Sequence, residues 1–328
     1  MIIENQKLSR KLFADDIELV PNRKGFGEGL VEAGKNDERV VALCADLTES
    51  TQMEAFKKEF PNRFIEVGVA EQNLATVASG MAAVNKIPFI TSYAGFSPGR
   101  NWEQIRTTIT LNEREVKIIG SHGGVSVGPD GATHQMLEDI AMMRSMPNMI
   151  VVVPCDYFEA KKATIAIAKN SRPTYLRLAR EKTAVITTLD SPFEIGKAQV
   201  LFSGSDLTIV ACGPLVYEAL KAAKNLSKQN ISAEVINSST IKPLDKDTIL
   251  KSAKKTQAVL TVEEAQINGG LGSAIAEVLS ENHPTALIRI GARDRFGQSG
   301  KITELWEEYE LNAKHIEKFA IELIKRKG

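Results

Sequence analysis

Cysteine is scarce in this 328-residue chain: Cys44, Cys155 and Cys212 lie far apart and form no CxxC pair. That excludes a disulfide framework and a thiolate-built zinc site, and makes a reducing cytoplasm the expected compartment. Charge of one sign is lacking as well, because 41 Lys plus Arg face 41 Asp plus Glu. Without a basic field neither nucleic acid nor a membrane surface is an expected partner, although local patches remain able to bind phosphate. Long apolar runs are missing too. The longest, such as Met149–Val153, have strand length, and the opening MIIENQKLSRKLF has no signal-peptide pattern, so neither export nor a membrane span is expected. No fixed-period repeat or low-complexity tract is present.

What the chain does have is alternation. Short β-branched runs at 40–44, 64–67, 88–91, 116–119, 150–153 and 174–178 are separated by amphipathic segments, with helices expected over 71–84 and 135–143. The pattern restarts with runs at 207–212, 233–236, 258–262 and 286–290, then closes on a long charged helix from about Lys301. Between the halves, Thr187–Ser205 is rich in Thr, Ser, Gly, Pro and Asp and reads as the connection. The length suits two α/β domains, each an open, mostly parallel sheet, over 1–190 and 191–328.

In open parallel sheets ligands gather beyond the carboxyl ends of strands. There the first half places Asp46 to Ser50, Glu71, Tyr93 to Phe96, Arg180, and the loop Gly120–Gln135, GSHGGVSVGPDGATHQ. The loop holds two of the four histidines and five glycines. Its Gly124-Val-Ser126-Val-Gly128 matches GxSxG, but a nucleophile elbow needs a helix starting at the serine, and Pro129-Asp130-Gly131 prolongs the loop instead. His122, Asp130 and His134 are metal-competent ligand types, yet their spacing is not helical HxxxH and no fourth ligand is evident. Asp130 alone reads as a turn or cap residue; two flanking histidines in a glycine-rich loop turn the balance toward binding. Glu71 opens a helix directly after a strand, where the helix dipole by itself favours an acid.

Taken in order, Glu66-Val-Gly-Val-Ala-Glu71-Gln-Asn, Tyr93-Ala-Gly-Phe96, Gly128-Pro-Asp-Gly-Ala-Thr-His-Gln135, Pro147-Asn-Met and Pro154-Cys-Asp156 resemble the pyrimidine-binding domain of transketolases. Val210-Ala-Cys-Gly213, Ile241-Lys-Pro-Leu-Asp245, Val262-Glu-Glu-Ala265 with Gly269-Gly-Leu-Gly272, and Asp294-Arg-Phe-Gly-Gln-Ser-Gly300 resemble the family's C-terminal domain. No Gly-Asp-Gly occurs, the motif that with a later Asn holds the thiamin diphosphate tail through a divalent ion in full-length members. The resemblance therefore implies the C-terminal subunit of a split enzyme. The partner expected is an N-terminal subunit with the Gly-Asp-Gly…Asn motif, holding Mg2+ or Ca2+, with two copies of each chain.

The resemblance further implies thiamin diphosphate as cofactor, with Glu71 hydrogen-bonded to its pyrimidine as a proton donor, Leu47 wedged beneath it, Asp46 nearby and Phe96 stacked on the ring. Holding Glu71 protonated requires burial to outweigh the helix dipole, which an apolar subunit interface would supply. His122 and His134 would bond substrate oxygens and move protons, Asp130 would read a sugar hydroxyl, and Arg23, Ser50, His122 and Arg180 would hold a sugar phosphate. Arg177 competes with Arg180 for that task, and Trp102 either replaces a missing aromatic wall or belongs to the core. The implied reaction is transfer of a two-carbon ketol unit between ketose and aldose phosphates. The alternatives are a 1-deoxyxylulose-5-phosphate synthase, a 2-oxoacid dehydrogenase β-subunit, or a non-catalytic scaffold. The first usually shows Asp-Arg where this chain has Ser121-His122, and the second lacks the Asp-Gly-x-x-His spacing.

Overall fold

A computed structural model describes residues 1–327 of the chain. Its strands are β1 (Leu19–Pro21), β2 (Val40–Cys44), β3 (Phe64–Glu66), β4 (Ile87–Tyr93), β5 (Lys117–Ser121), β6 (Ile150–Val152), β7 (Thr174–Arg177) and β8 (Lys182–Ala184), then β9 (Gln199–Phe202), β10 (Leu207–Ala211), β11 (Ala233–Asn237), β12 (Thr240–Lys242), β13 (Ala258–Gln266) and β14 (Ala286–Ala292). The helices are α1 (Asn22–Asn36), α2 (Glu54–Glu59), α3 (Glu71–Ala83), α4 (Trp102–Gln104), α5 (Asp139–Ser145), α6 (Tyr157–Ala168), α7 (Leu215–Ser227), α8 (Lys246–Thr256), α9 (Leu271–Asn282), α10 (Ile302–Glu308) and α11 (Ala313–Lys327). No helix among the described residues is long and apolar enough to cross a membrane.

A seven-stranded sheet runs β12-β6-β7-β5-β4-β2-β3, parallel except for β12, and a five-stranded sheet runs β14-β13-β10-β11-β9, parallel except for β9. The fold is thus α/β with two mostly parallel sheets. Every residue of β2, β5, β6, β7 and β10 is buried, as continuous β-branched runs demand when helices cover both faces. Phe26, Phe56, Phe89 and Leu176 fill one side of the larger sheet. On its other side Leu43, Ile90, Ile118 and Val151 join Val210, Ile236, Val259 and Ile275 of the second half in one core. Both sheets therefore desolvate against each other, which is why the loops at their facing ends can meet.

Several elements differ from expectation. The helix expected over 135–143 begins only at Asp139, because residues 131–136 are held in turns: Met136 bridges Gly123, and its carbonyl accepts N–H groups from Gly124 and Arg177. The long C-terminal helix is two, α10 and α11. Between them Glu310 takes a left-handed φ of 56°, Leu311 packs at 1% exposure, and the Asn312 side chain accepts the His315 N–H at 3.2 Å. The connection at 187–205 contains strand β9. β12, of the second half in sequence, adds to the edge of the first sheet through β6.

Gly120 in β5 shows how tightly the seam is packed: a Cβ there would lie 2.1 Å from the hydroxyl of Tyr175, which donates to Asp139 at 2.6 Å. Gly120→Ala is expected to destabilise the chain by about 1–3 kcal/mol through overpacking, read as a lower urea midpoint. An unchanged midpoint would contradict this packing.

Candidate active site

The parallel strands β2, β3, β4, β5 and β7 deliver their carboxyl ends to one rim, and every residue singled out as a site candidate lies on or beside it. Glu66, the last residue of β3, organises two of the loops. Its carboxylate accepts the N–H groups of Asp46 at 2.8 Å and Gly68 at 2.9 Å and the Thr48 hydroxyl at 3.2 Å, holding Asp46 at φ 58°. Leu47 packs half-buried on the aromatic core below, while Asp46 is exposed. Gly68 has φ 71°, so the chain turns sharply into α3 and places Glu71 at its first position.

Glu71 is 4% exposed, and both its carboxylate oxygens lie 3.3 Å from Nη1 of Arg100. The Arg100 guanidinium sits 4.2 Å above the Phe96 ring. A planar N–H group thus lies between a carboxylate and an aromatic face, the arrangement an aminopyrimidine needs, so these residues fit such a group. The Arg100 side chain is 52% exposed, so this contact with Glu71 is open to solvent on one side. Arg100 was not among the residues expected here. Trp102 belongs to the packing instead, donating its indole N–H to the Met142 carbonyl at 3.2 Å.

Next to this cleft is a basin of histidine and arginine. The Tyr93 ring stacks on His122 with centroids 3.9 Å apart and also approaches Phe96 and His134, so one tyrosine joins the two clusters. Nδ1 of His122 shares a 2.8 Å hydrogen bond with the Ser121 hydroxyl, and Nδ1 of His134 a 2.9 Å bond with Thr133. That leaves the far nitrogen of each ring without a hydrogen bond to a described residue. Arg23 donates Nε to the Arg180 carbonyl at 3.0 Å and Nη1 to the Ser50 carbonyl. Arg180 donates to the Val127 carbonyl at 2.6 Å and lies 3.6 Å from Asp130. Arg23, Asp46, Leu47 and Ser50 line a groove of about 450 Å3.

The two competing arginines separate cleanly. Arg177 is 4% exposed, donates Nε to Asp139 at 2.7 Å and Nη2 to the carbonyls of Met136 at 3.1 Å and Glu264 at 2.9 Å. Its Nε and Nη2 are spent on the fold, whereas the Arg180 side chain is 29% exposed beside Asp130. Ser126 is likewise committed: fully buried, it gives both its N–H and its hydroxyl to the Glu264 carboxylate. Tyr93 and Glu264 carried signals that sequence reading quoted, a Tyr two residues before a glycine and a Glu-Glu pair, but assigned no role.

Burial first, then the charges of Arg23, Arg180 and His134, push His122 down to about 3. His122 is therefore neutral in the folded chain at ordinary pH, able to donate from one ring nitrogen and accept at the other. In the unfolded chain it takes up a proton near pH 6.5, so its contribution to stability is intact above ~6.5 and is lost as pH falls toward 3, by about 1.4 kcal/mol per pH unit. Thermal unfolding at pH 7 and pH 5 is expected to show a smaller acid loss in His122→Gln than in the parent. Parallel losses would assign the acid sensitivity to other groups.

Comparison with known proteins identifies the family. The transketolase pyrimidine-binding domain family matches residues 19–185, and the transketolase C-terminal domain family matches residues 196–316. A protein of Methanocaldococcus jannaschii, named by inference a transketolase C-terminal section, is 47% identical over 307 residues, covering 93% of this chain and 96% of that one. A 6-deoxy-6-sulfo-D-fructose transketolase subunit of a Clostridium species is 42% identical, covering 93% of this chain and 95% of that one. A solved structure described as a split gene transketolase in an inactive beta4 tetramer superposes with a TM-score of 0.89 at 40% identity, covering 94% of this chain and all of the other. The chain belongs to the transketolase family, in the group whose members correspond to the C-terminal section of a split enzyme.

Proposed function

We propose that this chain is the C-terminal subunit of a two-chain, thiamin-diphosphate-dependent transketolase that moves a two-carbon ketol unit between ketose and aldose phosphates. The observation that carries the reading is the meeting, across Tyr93, of the Glu71–Phe96 cleft with the basin of His122, His134, Arg23 and Arg180. In this reading the pyrimidine-binding domain occupies 1–190 and the C-terminal domain 191–328. When bound, thiamin diphosphate supplies an electron sink for breaking and forming a carbon–carbon bond beside a carbonyl.

The chain's own residues then have distinct tasks. Glu71 holds the ring nitrogen of the pyrimidine and controls a proton there, Phe96 stacks on its face, and Leu47 and Asp46 support it from the neighbouring loop. His122 and His134 hydrogen-bond the sugar oxygens through their free ring nitrogens and carry protons between them. Asp130 accepts from a sugar hydroxyl. Arg23 and Arg180, with Ser50 and His122, hold the anionic end of the sugar. The Clostridium relative is named for a sugar with a sulfonate, which is also anionic at the far end.

The names of the relatives, a section, a subunit and a split gene product, favour a second polypeptide. That N-terminal subunit would carry the Gly-Asp-Gly…Asn motif, the Mg2+ or Ca2+ ion and the diphosphate, with two copies of each chain assembled. The test is reconstitution. The chain alone is expected to bind thiamin diphosphate weakly and to show no ketol transfer. Addition of the N-terminal subunit should restore it, and Glu71→Ala should lower the rate at least ~100-fold in an assembled complex. Full activity of the lone chain would overturn the split-enzyme reading. An intact complex inactive on every sugar phosphate would overturn the transketolase reading.

A further inference from the structure

The loop Gly124–Gly128 springs from the first sheet, yet it is shaped from the second. Oε1 of Glu264, near the end of β13, accepts the Ser126 N–H at 2.6 Å and the indole N–H of Trp306 at 3.0 Å, while Oε2 accepts the Ser126 hydroxyl at 2.9 Å. The carboxylate comes so close that a Cβ at Gly124, where φ is 91°, would lie 2.6 Å from its Cδ. Trp306, on α10, closes the other side, and the main-chain carbonyl of the same glutamate accepts from Arg177. Glu264 is 3% exposed, so three donors meet it without competition from water.

The next residue along the loop is the one that matters for the basin. The Val127 carbonyl accepts Nη1 of Arg180 at 2.6 Å, and Arg180 is a partly exposed side chain whose other near partners are the carboxylates of Asp130 and Glu181, each 3.6 Å away. A long, flexible cation is aimed only as well as the acceptor that holds it is fixed. Ser126 fixes that acceptor, and Glu264 fixes Ser126 on two atoms at once.

We propose that Glu264 is a positioning residue for the anion-binding end of the active site, acting from the C-terminal half through Ser126 and the Val127 carbonyl to aim Arg180. The proposal rests on the reading of Arg180 as an anion ligand given above. Glu264→Gln keeps the shape but removes the charge: its amide N–H2 in the place of Oε2 turns the Ser126 hydroxyl from donor to acceptor, and the bonds from the Ser126 and Trp306 N–H groups lose their charge assistance.

The experiment compares the parent, Arg180→Ala, Glu264→Gln and the double variant as two-chain complexes. It measures kcat and KM for fructose 6-phosphate and the inhibition constant of inorganic phosphate. For Glu264→Gln both KM and the inhibition constant should rise about tenfold, the size of one charge-assisted hydrogen bond, while kcat changes less than about twofold. In the Arg180→Ala background the same change should add nothing. Trp306→Phe, which removes one donor and keeps the packing, should move the constants the same way by a smaller factor, and serves if Glu264→Gln fails to fold. A fall in kcat with unchanged inhibition by phosphate, or full additivity with Arg180→Ala, would overturn the inference. If Arg180→Ala itself leaves KM and phosphate inhibition unchanged, the anion reading of Arg180 fails and takes the inference with it. An Arg180→Ala effect with no Glu264→Gln effect sinks the inference alone.

Discussion

The guanidinium of Arg177 is the fixed point of this molecule. It leaves β7 of the first sheet, pairs with Asp139 at the start of α5, and binds main-chain carbonyls of Met136 and of Glu264 in the second sheet. Burying such a charge costs several kcal/mol, which a close counter-charge and further hydrogen bonds must offset. Here Asp139 supplies the counter-charge to Nε, itself held by the Tyr175 hydroxyl, and two main-chain carbonyls accept from Nη2. Losing one partner of a buried pair costs about 3–5 kcal/mol, so the three segments that meet at Arg177 are locked together or not at all. The histidine loop lies between two of them.

With that seam closed, the chain can keep a positive basin without a net charge. Lys plus Arg and Asp plus Glu balance at 41 each, yet Arg23 and Arg180 converge beside His122, and their field together with burial keeps its ring neutral. The positive basin is a local construction, not a property of the whole surface. Two cations held close to one another need something to oppose their repulsion. Main-chain carbonyls of Ser50, Val127 and Arg180 do this, each accepting a guanidinium N–H.

Much of this was readable in the residues. The strand runs, the helix opened by Glu71, and the convergence of Asp46, Phe96, His122, His134 and Arg180 at one rim all follow from local periodicity and from the rule that sites sit beyond strand ends. What escaped depended on tertiary contacts. Residues 135–138 have helical composition, but the Met136 carbonyl is claimed by Gly124 and Arg177 and the Leu137 carbonyl by Gln266. Arg177 and Arg180 look alike in sequence, and only burial tells the structural cation from the available one. β12 is short and pairs outside its own half, a placement that no period of two in three residues can announce. Arg100 follows the turn-type residues Ser97-Pro-Gly, which carry no periodicity, so its place over Phe96 is set by the fold alone.

The acids around the site fall into two kinds, and the difference bears on which of them can do chemistry. Glu66, Glu263 and Glu264 each accept two or more hydrogen bonds, main-chain N–H groups among them, that the fold holds in place. Such a carboxylate is a structural acceptor, whose hydrogen bonds fix the loops that donate them. Glu71 is as deeply buried as Glu264, yet its side chain meets only Arg100, a residue half in solvent and held at 3.3 Å. A buried carboxyl whose single partner can withdraw is able to exchange that partner for a ligand at little cost to the fold. Among these four glutamates only Glu71 combines burial with an exchangeable contact, and that combination separates a group open to a ligand from one that holds a loop.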